Sequence, residues 1–169
     1  MELKNALLMR RSVRKFTDEA VSGEHIDALL HAAMSGPSAC NRCPWEFCVI
    51  TNKETISSLR EASRFSKMNA PLAIVVCGNL SRSLPVQLSE YWIQDCSAAI
   101  ENILLRATDL GLGAVWCGAH PQEKVVNKLK DVLSLPQKHI PLGIIHIGYP
   151  AEAPEPRDQY DEKRVHFIE

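Results

Sequence analysis

Met9-Arg10-Arg11-Ser12-Val13-Arg14-Lys15-Phe16 places four cations and a hydroxyl side by side, directly after a short amphipathic stretch in which Leu3, Ala6 and Leu7 recur at helical spacing. Guanidinium forks match phosphate oxygens through paired hydrogen bonds, and a serine adds a neutral donor. The stretch is therefore a candidate cradle for a phosphorylated cofactor. Alone it reads equally well as a solvated basic turn. Its meaning depends on three stretches far away in the chain.

The second is Ser35-Gly36-Pro37-Ser38-Ala39-Cys40-Asn41-Arg42-Cys43-Pro44-Trp45, the third Gly111-Leu112-Gly113-Ala114-Val115-Trp116-Cys117-Gly118, and the fourth Gly148-Tyr149-Pro150 followed by Pro154, Pro156, Arg157 and Arg164. Each has a plain reading of its own. Pro37-Ser38 makes an ordinary turn, Gly111-Leu112-Gly113 stops a helix, and Arg164 is a solvated tail residue. The Gly-Leu-Gly run also fails as a dinucleotide fingerprint, since it lacks the third glycine and follows a helix instead of a strand. In this order and at this separation, however, the four stretches resemble the nitroreductase family of FMN-dependent oxidoreductases. That family's pattern runs R-R-S-x-R-x-F, P-S-x-x-N-x-Q-P-W, G-L-G-x-x-W, then G-Y-P and a distal arginine. The resemblance spans nearly the whole chain.

The resemblance implies an α+β fold, a nitroreductase-like three-layer α/β/α sandwich with a mixed central sheet and an extended C-terminal tail. It implies one FMN-binding domain over residues 1–169 and an intertwined homodimer, the tail crossing to the partner and the FMN site lying at the subunit interface. It assigns phosphate or ribityl contacts to Arg10, Ser12 and Arg14, and a place near the pyrimidine edge to Arg11. There a cation would stabilise the negative charge of the reduced flavin. Pro37, Ser38, Ala39 and Asn41 would lie along the ring and ribityl chain from the other subunit. Cys117 and Gly118 would set a backbone N–H opposite N5, Gly113 would permit close backbone approach, and Arg164 would return to the phosphate. The implied chemistry is hydride transfer from NADH or NADPH through FMN to an electron-poor small molecule (a nitro compound, quinone or enone) by ping-pong exchange. The flavin carries it out at N5, so no catalytic side chain is required.

One departure from the family pattern is Cys43, which stands where glutamine often precedes Pro-Trp. It creates Cys40-Asn41-Arg42-Cys43, a pair that elsewhere serves as a redox dithiol or half a zinc site. No second such pair or paired histidines complete four zinc ligands, and the pair does not open a helix after a strand. Two rival functions follow: a thiol redox protein using Cys40 and Cys43, and a flavin-binding carrier or sensor without turnover. His120, ahead of Pro121 and near the implied N5 contact, is a candidate proton donor or helix cap.

Composition excludes other classes. The chain has 169 residues and a formal net charge of −1, with 46% apolar and 23% charged residues. That is one domain of ordinary core size, with no electrostatic case for nucleic acid or a membrane surface. No apolar run approaches the roughly 20 residues that span a bilayer. Charges at Glu2, Lys4, Arg10 and Arg11 leave no secretory signal, so the expected location is the cytoplasm. The six cysteines are then reduced thiols, and Cys48, Cys77 and Cys117, in apolar segments, act as small hydrophobes.

Local patterning places the motifs. Ser22 caps a helix that presents Ile26, Leu29, Leu30 and Ala33 and ends near Gly36-Pro37. Residues 45–51 read as a buried strand, 53–62 as a helix, and 71–78 as a strand covered on both faces. Residues 80–88 read as a loop. A long helix from about Ser89 to Leu110 carries a wide apolar stripe with small residues suited to close helix contact, and Gly111 stops it. Residues 113–118 form a short strand, Pro121 opens a helix in its favoured first position, and residues 140–149 form the last strand. Helices and strands interleave, which predicts a sheet with helices on both faces.

Overall fold

Two long apolar runs form the middle of the molecule. The computed structural model describes residues 1–88, 90–152 and 154–168. In chain order the elements are helices α1 (Leu3–Met9) and α2 (Gly23–Met34), strand β1 (Trp45–Ile50), α3 (Lys53–Arg60), β2 (Leu72–Asn79), α4 (Tyr91–Asp109), β3 (Gly113–Gly118), α5 (Glu123–Leu133) and β4 (His139–Gly148). The sheet order is β1-β2-β4-β3. The inner strands β2 and β4 carry the two long apolar runs, that of β4 broken by His146, and β2 is buried along all but its last residue. A strand buried on both faces has no solvent side to make polar.

Side chains alternate between the two faces, and each face has its own helices. Leu72, Ile74, Val76, Ile145 and Ile147 pack in one cluster with Leu29 and Ala33 of α2 and Cys96, Ala99, Ile100 and Ile103 of α4. Ala73, Val75, Cys77 and Ile144 pack in a second with Ile56 and Leu59 of α3 and Val125, Val126 and Leu129 of α5. This is the expected three-layer α/β/α sandwich. The small residues Cys96 and Ala99 let α4 settle on the sheet, and Asn102 Nδ2 donates to Ala32 O at 3.0 Å, tying α4 to α2.

Helix ends follow local chemistry. Ser22 Oγ accepts from His25 N at 3.1 Å, and Asn52 Oδ1 accepts from Thr55 N at 2.9 Å at the start of α3. Gly111 takes φ +74° immediately after α4, a conformation that favours glycine.

Three details differ from the sequence reading. The named strands pair antiparallel throughout, and among the described residues the parallel part of the expected mixed sheet is a one-residue bridge, Ser12 to Ala114. Helix α5 begins at Glu123, so Pro121 is not its first residue. Pro121 instead follows a cis peptide bond from His120, and Gln122 N donates to Ala119 O in a turn that precedes the helix. The expected start of the long helix at Ser89 lies outside the described residues; α4 is helical from Tyr91, after a short 3-10 turn at Val86–Leu88 in the expected loop.

A basic cleft at the open edge of the sheet as candidate active site

Strand β3 is an outer strand, and its free edge organises the site. The basic segment runs along that edge: Val13 N donates to Ala114 O at 3.0 Å. The contact is so close that a Cβ on Gly113 would lie 2.7 Å from Val13 Cγ1. Gly113 thus admits the close approach of the chain's own basic segment. In an antiparallel pair, backbone groups of successive residues point to alternate edges. Ala114 C=O faces outward to Val13, and Ala119 N donates inward to Leu142 O. The outward N–H groups of β3 are therefore those of Trp116 and Gly118, while that of Cys117 turns toward β4. A Cβ built on Gly118 would meet nothing within 4 Å, so the face of the strand is open there.

This edge lines a cleft of about 670 Å³ whose floor is Val115, Trp116, Cys117 and Gly118 and whose walls carry Arg14, Lys15, Arg64 and Lys67. The cleft has four cations and no carboxylate among its lining residues. Lys15 pairs with Glu152 at 2.9 Å, Arg14 Nη1 donates to Ser12 O at 3.3 Å, and the Arg64 guanidinium lies 4.5 Å over the Phe65 ring. The segment bearing Arg64 and Lys67 links α3 to β2. Cys117 Sγ donates to Phe65 O at 3.0 Å, and Met68 packs with Val13, Phe16, Val115 and Cys117. Burial pushes the Cys117 thiol up to about 11 against the opposing pull of Arg14, so at neutral pH it is an inert thiol.

The other expected residues lie elsewhere on the chain. Arg10 Nε sits 3.3 Å from Glu101 Oε1, and Arg11 Nη1 donates to Glu155 O at 2.7 Å. Both line a smaller cleft of about 310 Å³ with Arg157 and Tyr160. The basic segment is thus divided between two clefts. Arg164 is 86% exposed and its ion pair is with Asp161, at 3.3 Å; no hydrogen bond or ion pair among the described residues joins it to Arg10 or Arg14.

Pro37, Ser38 and Ala39 line a third cleft of about 260 Å³ with Tyr91, Gln94 and Asp95, and it shares no residue with the basic cleft. Ala39 N donates to Asp95 Oδ1 at 2.8 Å, and Cys43 N to Ser38 Oγ at 2.9 Å. Cys40, Asn41 and Cys43 hold φ of +50°, +52° and +46°, a left-handed conformation costly for residues with a Cβ and concentrated at functional loops. Within one chain this loop does not meet the cations. His120 packs edge-on against Trp92, ring centroids 5.2 Å apart, and does not line the basic cleft. Arg64 and Lys67 escaped the sequence reading: the stretch around them has no glycine, proline or periodicity, and only the spacing of two cations three positions apart marked it.

The nitroreductase family profile matches residues 7–66 and 61–149. A relative from Methanothermobacter thermautotrophicus, named provisionally as an NADH dehydrogenase/NAD(P)H nitroreductase, is 44% identical over 169 residues, which cover 99% of this chain and 87% of the relative. The solved structure of an FMN-dependent nitroreductase from Clostridium difficile superposes with a TM-score of 0.89 at 32% identity, covering 98% of this chain and 99% of that one. A provisionally assigned nitroreductase from Desulfovibrio desulfuricans, solved in complex with FMN, superposes with a TM-score of 0.83 at 28% identity, covering 100% and 97%. The sandwich, its basic edge cleft and these matches agree, and the chain belongs to the nitroreductase family.

Proposed function

We propose that the protein is an FMN-dependent oxidoreductase that draws a hydride from NADH or NADPH and delivers it to an electron-poor small molecule, a nitro compound, quinone or enone, by ping-pong exchange. The observation that carries this reading is the basic, carboxylate-free cleft at the open N–H edge of β3. Its donor set fits a flavin: a strand edge with outward N–H groups, an open strand face at Gly118, and cations for the anionic parts of the cofactor. FMN supplies the hydride chemistry at its N5.

The chain's own residues place and polarise that group. Gly118 N–H donates toward N5, a role that alternation along β3 moves from Cys117 to its neighbour. Arg64 and Lys67 hold positive charge on the same cleft, which favours added electron density on a ring seated there. Arg10, Ser12 and Arg14 hold phosphate or ribityl oxygens, and Arg11 places a cation near the pyrimidine edge. With the Cys117 thiol held near 11 and no carboxylate in the cleft, the protons come from solvent.

The site is completed by a second copy of the chain, whose Pro37, Ser38, Ala39 and Asn41 cover the ring and whose Arg164 reaches the phosphate. The separation of these residues from the basic cleft within one chain supports this. So do the exposed apolar side chains of Leu3 and Leu7 on α1 and of Phe167 and Ile168 in the tail, which a monomer leaves in water. No helix among the described residues is long and apolar enough to cross a membrane. The test is anaerobic mixing of the purified yellow protein with NADH or NADPH, followed by addition of a quinone or nitroarene. Bleaching of the flavin and recovery by the acceptor supports the proposal; a bound flavin that neither nucleotide bleaches makes the protein a carrier.

A further inference from the structure

Ser66 and His146 form a wholly buried polar pair, each 0% exposed, with Ser66 Oγ 2.5 Å from His146 Nε2. The pair is out of keeping with its surroundings. His146 lies within β4, paired with Ala73 of β2 and Val115 of β3. Ala73 belongs to the apolar cluster under α3 and α5, and Val115 to the apolar cluster around Cys117. The second ring nitrogen, Nδ1, is buried without a partner. A neutral imidazole has one donor and one acceptor, so either tautomer leaves one polar atom orphaned in an apolar layer. A leucine would fill this place without that cost.

The imidazole's one hydrogen bond reaches the loop that carries the cleft cations. Residues 63–68 form neither helix nor strand. Their internal hydrogen bonds are local: Phe65 N to Ser63 Oγ, Ser66 N to Ser63 O, and Met68 N to Ser66 O. Only two hydrogen bonds tie residues 63–68 to the sheet among the described residues: Cys117 Sγ to Phe65 O at 3.0 Å, and Ser66 to His146. In sequence Ser66 stands between Arg64 and Lys67, both of which line the cleft. Fixing Ser66 from below therefore limits how far both cations can swing.

We propose that His146 is a positioning residue which, through Ser66, seats Arg64 and Lys67 on the flavin cleft and so sets flavin affinity and reduction potential. The inference rests on the functional reading above only in naming flavin as the occupant. The imidazole acts neutral. Burial and the Arg60 guanidinium at the end of α3, the charged group that acts on it, hold its proton affinity down, near 4, so the hydrogen bond persists through the physiological range.

The experiment compares the full-length parent with Ser66→Ala, His146→Leu and His146→Gln, the last keeping a donor and an acceptor at similar reach. Each holoprotein is measured for FMN dissociation constant and flavin midpoint potential, and each apoprotein for amide exchange across residues 61–70. Ser66→Ala and His146→Leu are expected to weaken FMN about 10-fold, the scale of one buried hydrogen bond, to lower the potential, and to speed exchange in that segment. His146→Gln is expected to stay within about 3-fold of the parent. His146→Leu trades the orphaned Nδ1 for an orphaned Ser66 hydroxyl, so the divergence is read in the double variant Ser66→Ala/His146→Leu, which leaves neither polar group buried there: its thermal stability should hold or rise while flavin affinity falls, which a merely structural role would not produce. Parent-like affinity and potential in Ser66→Ala and His146→Leu would overturn the proposal, whatever the exchange shows. A parent that takes up no FMN would instead refute the functional reading. The exchange data would then decide whether His146 anchors the loop, unchanged exchange refuting that as well.

Discussion

Acid should destabilise this protein partly through His146, and the size of that effect follows from its surroundings. His146 titrates near 4 in the folded chain, chiefly because burial disfavours the imidazolium and secondarily because of Arg60. In the unfolded chain it reverts to about 6.5. The folded value is the lower one, so between these limits the unfolded state binds the extra proton. The associated stability is complete above about pH 6.5 and is lost as pH falls toward 4. For a shift of that size the linkage relation gives a loss of about 2 kcal/mol between pH 7 and pH 5, and about 3 kcal/mol by pH 4. For a chain of this length 2 kcal/mol moves the melting temperature by about 4–8 °C. The assay is denaturant unfolding of apoprotein at pH 7 and pH 5, at fixed protein concentration, for the parent and for His146→Gln. Carboxylates also titrate, among them Asp109, whose carboxyl the N-terminal ammonium and Arg106 hold below its usual range. They are common to both proteins and cancel in the difference. If His146→Gln loses as much stability as the parent between pH 7 and pH 5, the buried neutral imidazole is not what acid attacks.

Gly113→Ala should cost about 1–3 kcal/mol of stability and loosen the basic segment, because the new Cβ would lie 2.8 Å from Val13 Cβ; chemical denaturation and FMN titration read the two effects. Arg14→Ala and Arg164→Ala should each weaken FMN by roughly 10- to 150-fold through lost charge-assisted hydrogen bonds while leaving riboflavin binding nearly unchanged. Equal loss of riboflavin would make the arginine in question structural. Cys40→Ser and Cys43→Ser should keep flavin reduction by NADH or NADPH within about 100-fold of the parent in stopped flow, and a larger loss with FMN still bound would mean the pair takes part in the chemistry. Sedimentation at micromolar concentration should show a dimer, and a stable flavin-bound monomer would remove the shared site.

Local chemistry was legible in the residues; long-range pairing was not. Ser22 marks the start of α2, Gly111 the end of α4, and Gly113–Gly118 delimits β3, since caps, breakers and apolar runs act over a few positions. The antiparallel order β1-β2-β4-β3 depends on partners tens of residues apart, and no local pattern encodes it. The same distinction governs the site. The basic segment was visible, but its division between two clefts follows from Arg11 meeting Glu155 and Arg14 turning to the β3 edge. Cys117 and Gly118 could not be told apart as N–H donors until β3 was known to be an outer strand. Pro121 misled because a proline near a helix start can equally end the turn before it.

The basic segment also says something about when the molecule becomes competent. Arg11 rests on Glu155, a span of 144 positions, and Val13 rests on Ala114. A chain emerging from the ribosome exposes residues 10–16 long before either support exists. Their ordering must wait for β3 and then for the tail, closing loops of the length that makes folding slow. Cofactor capture is therefore a late event in the life of each chain. Cellular FMN rewards completed molecules by mass action and gives no shelter to nascent ones.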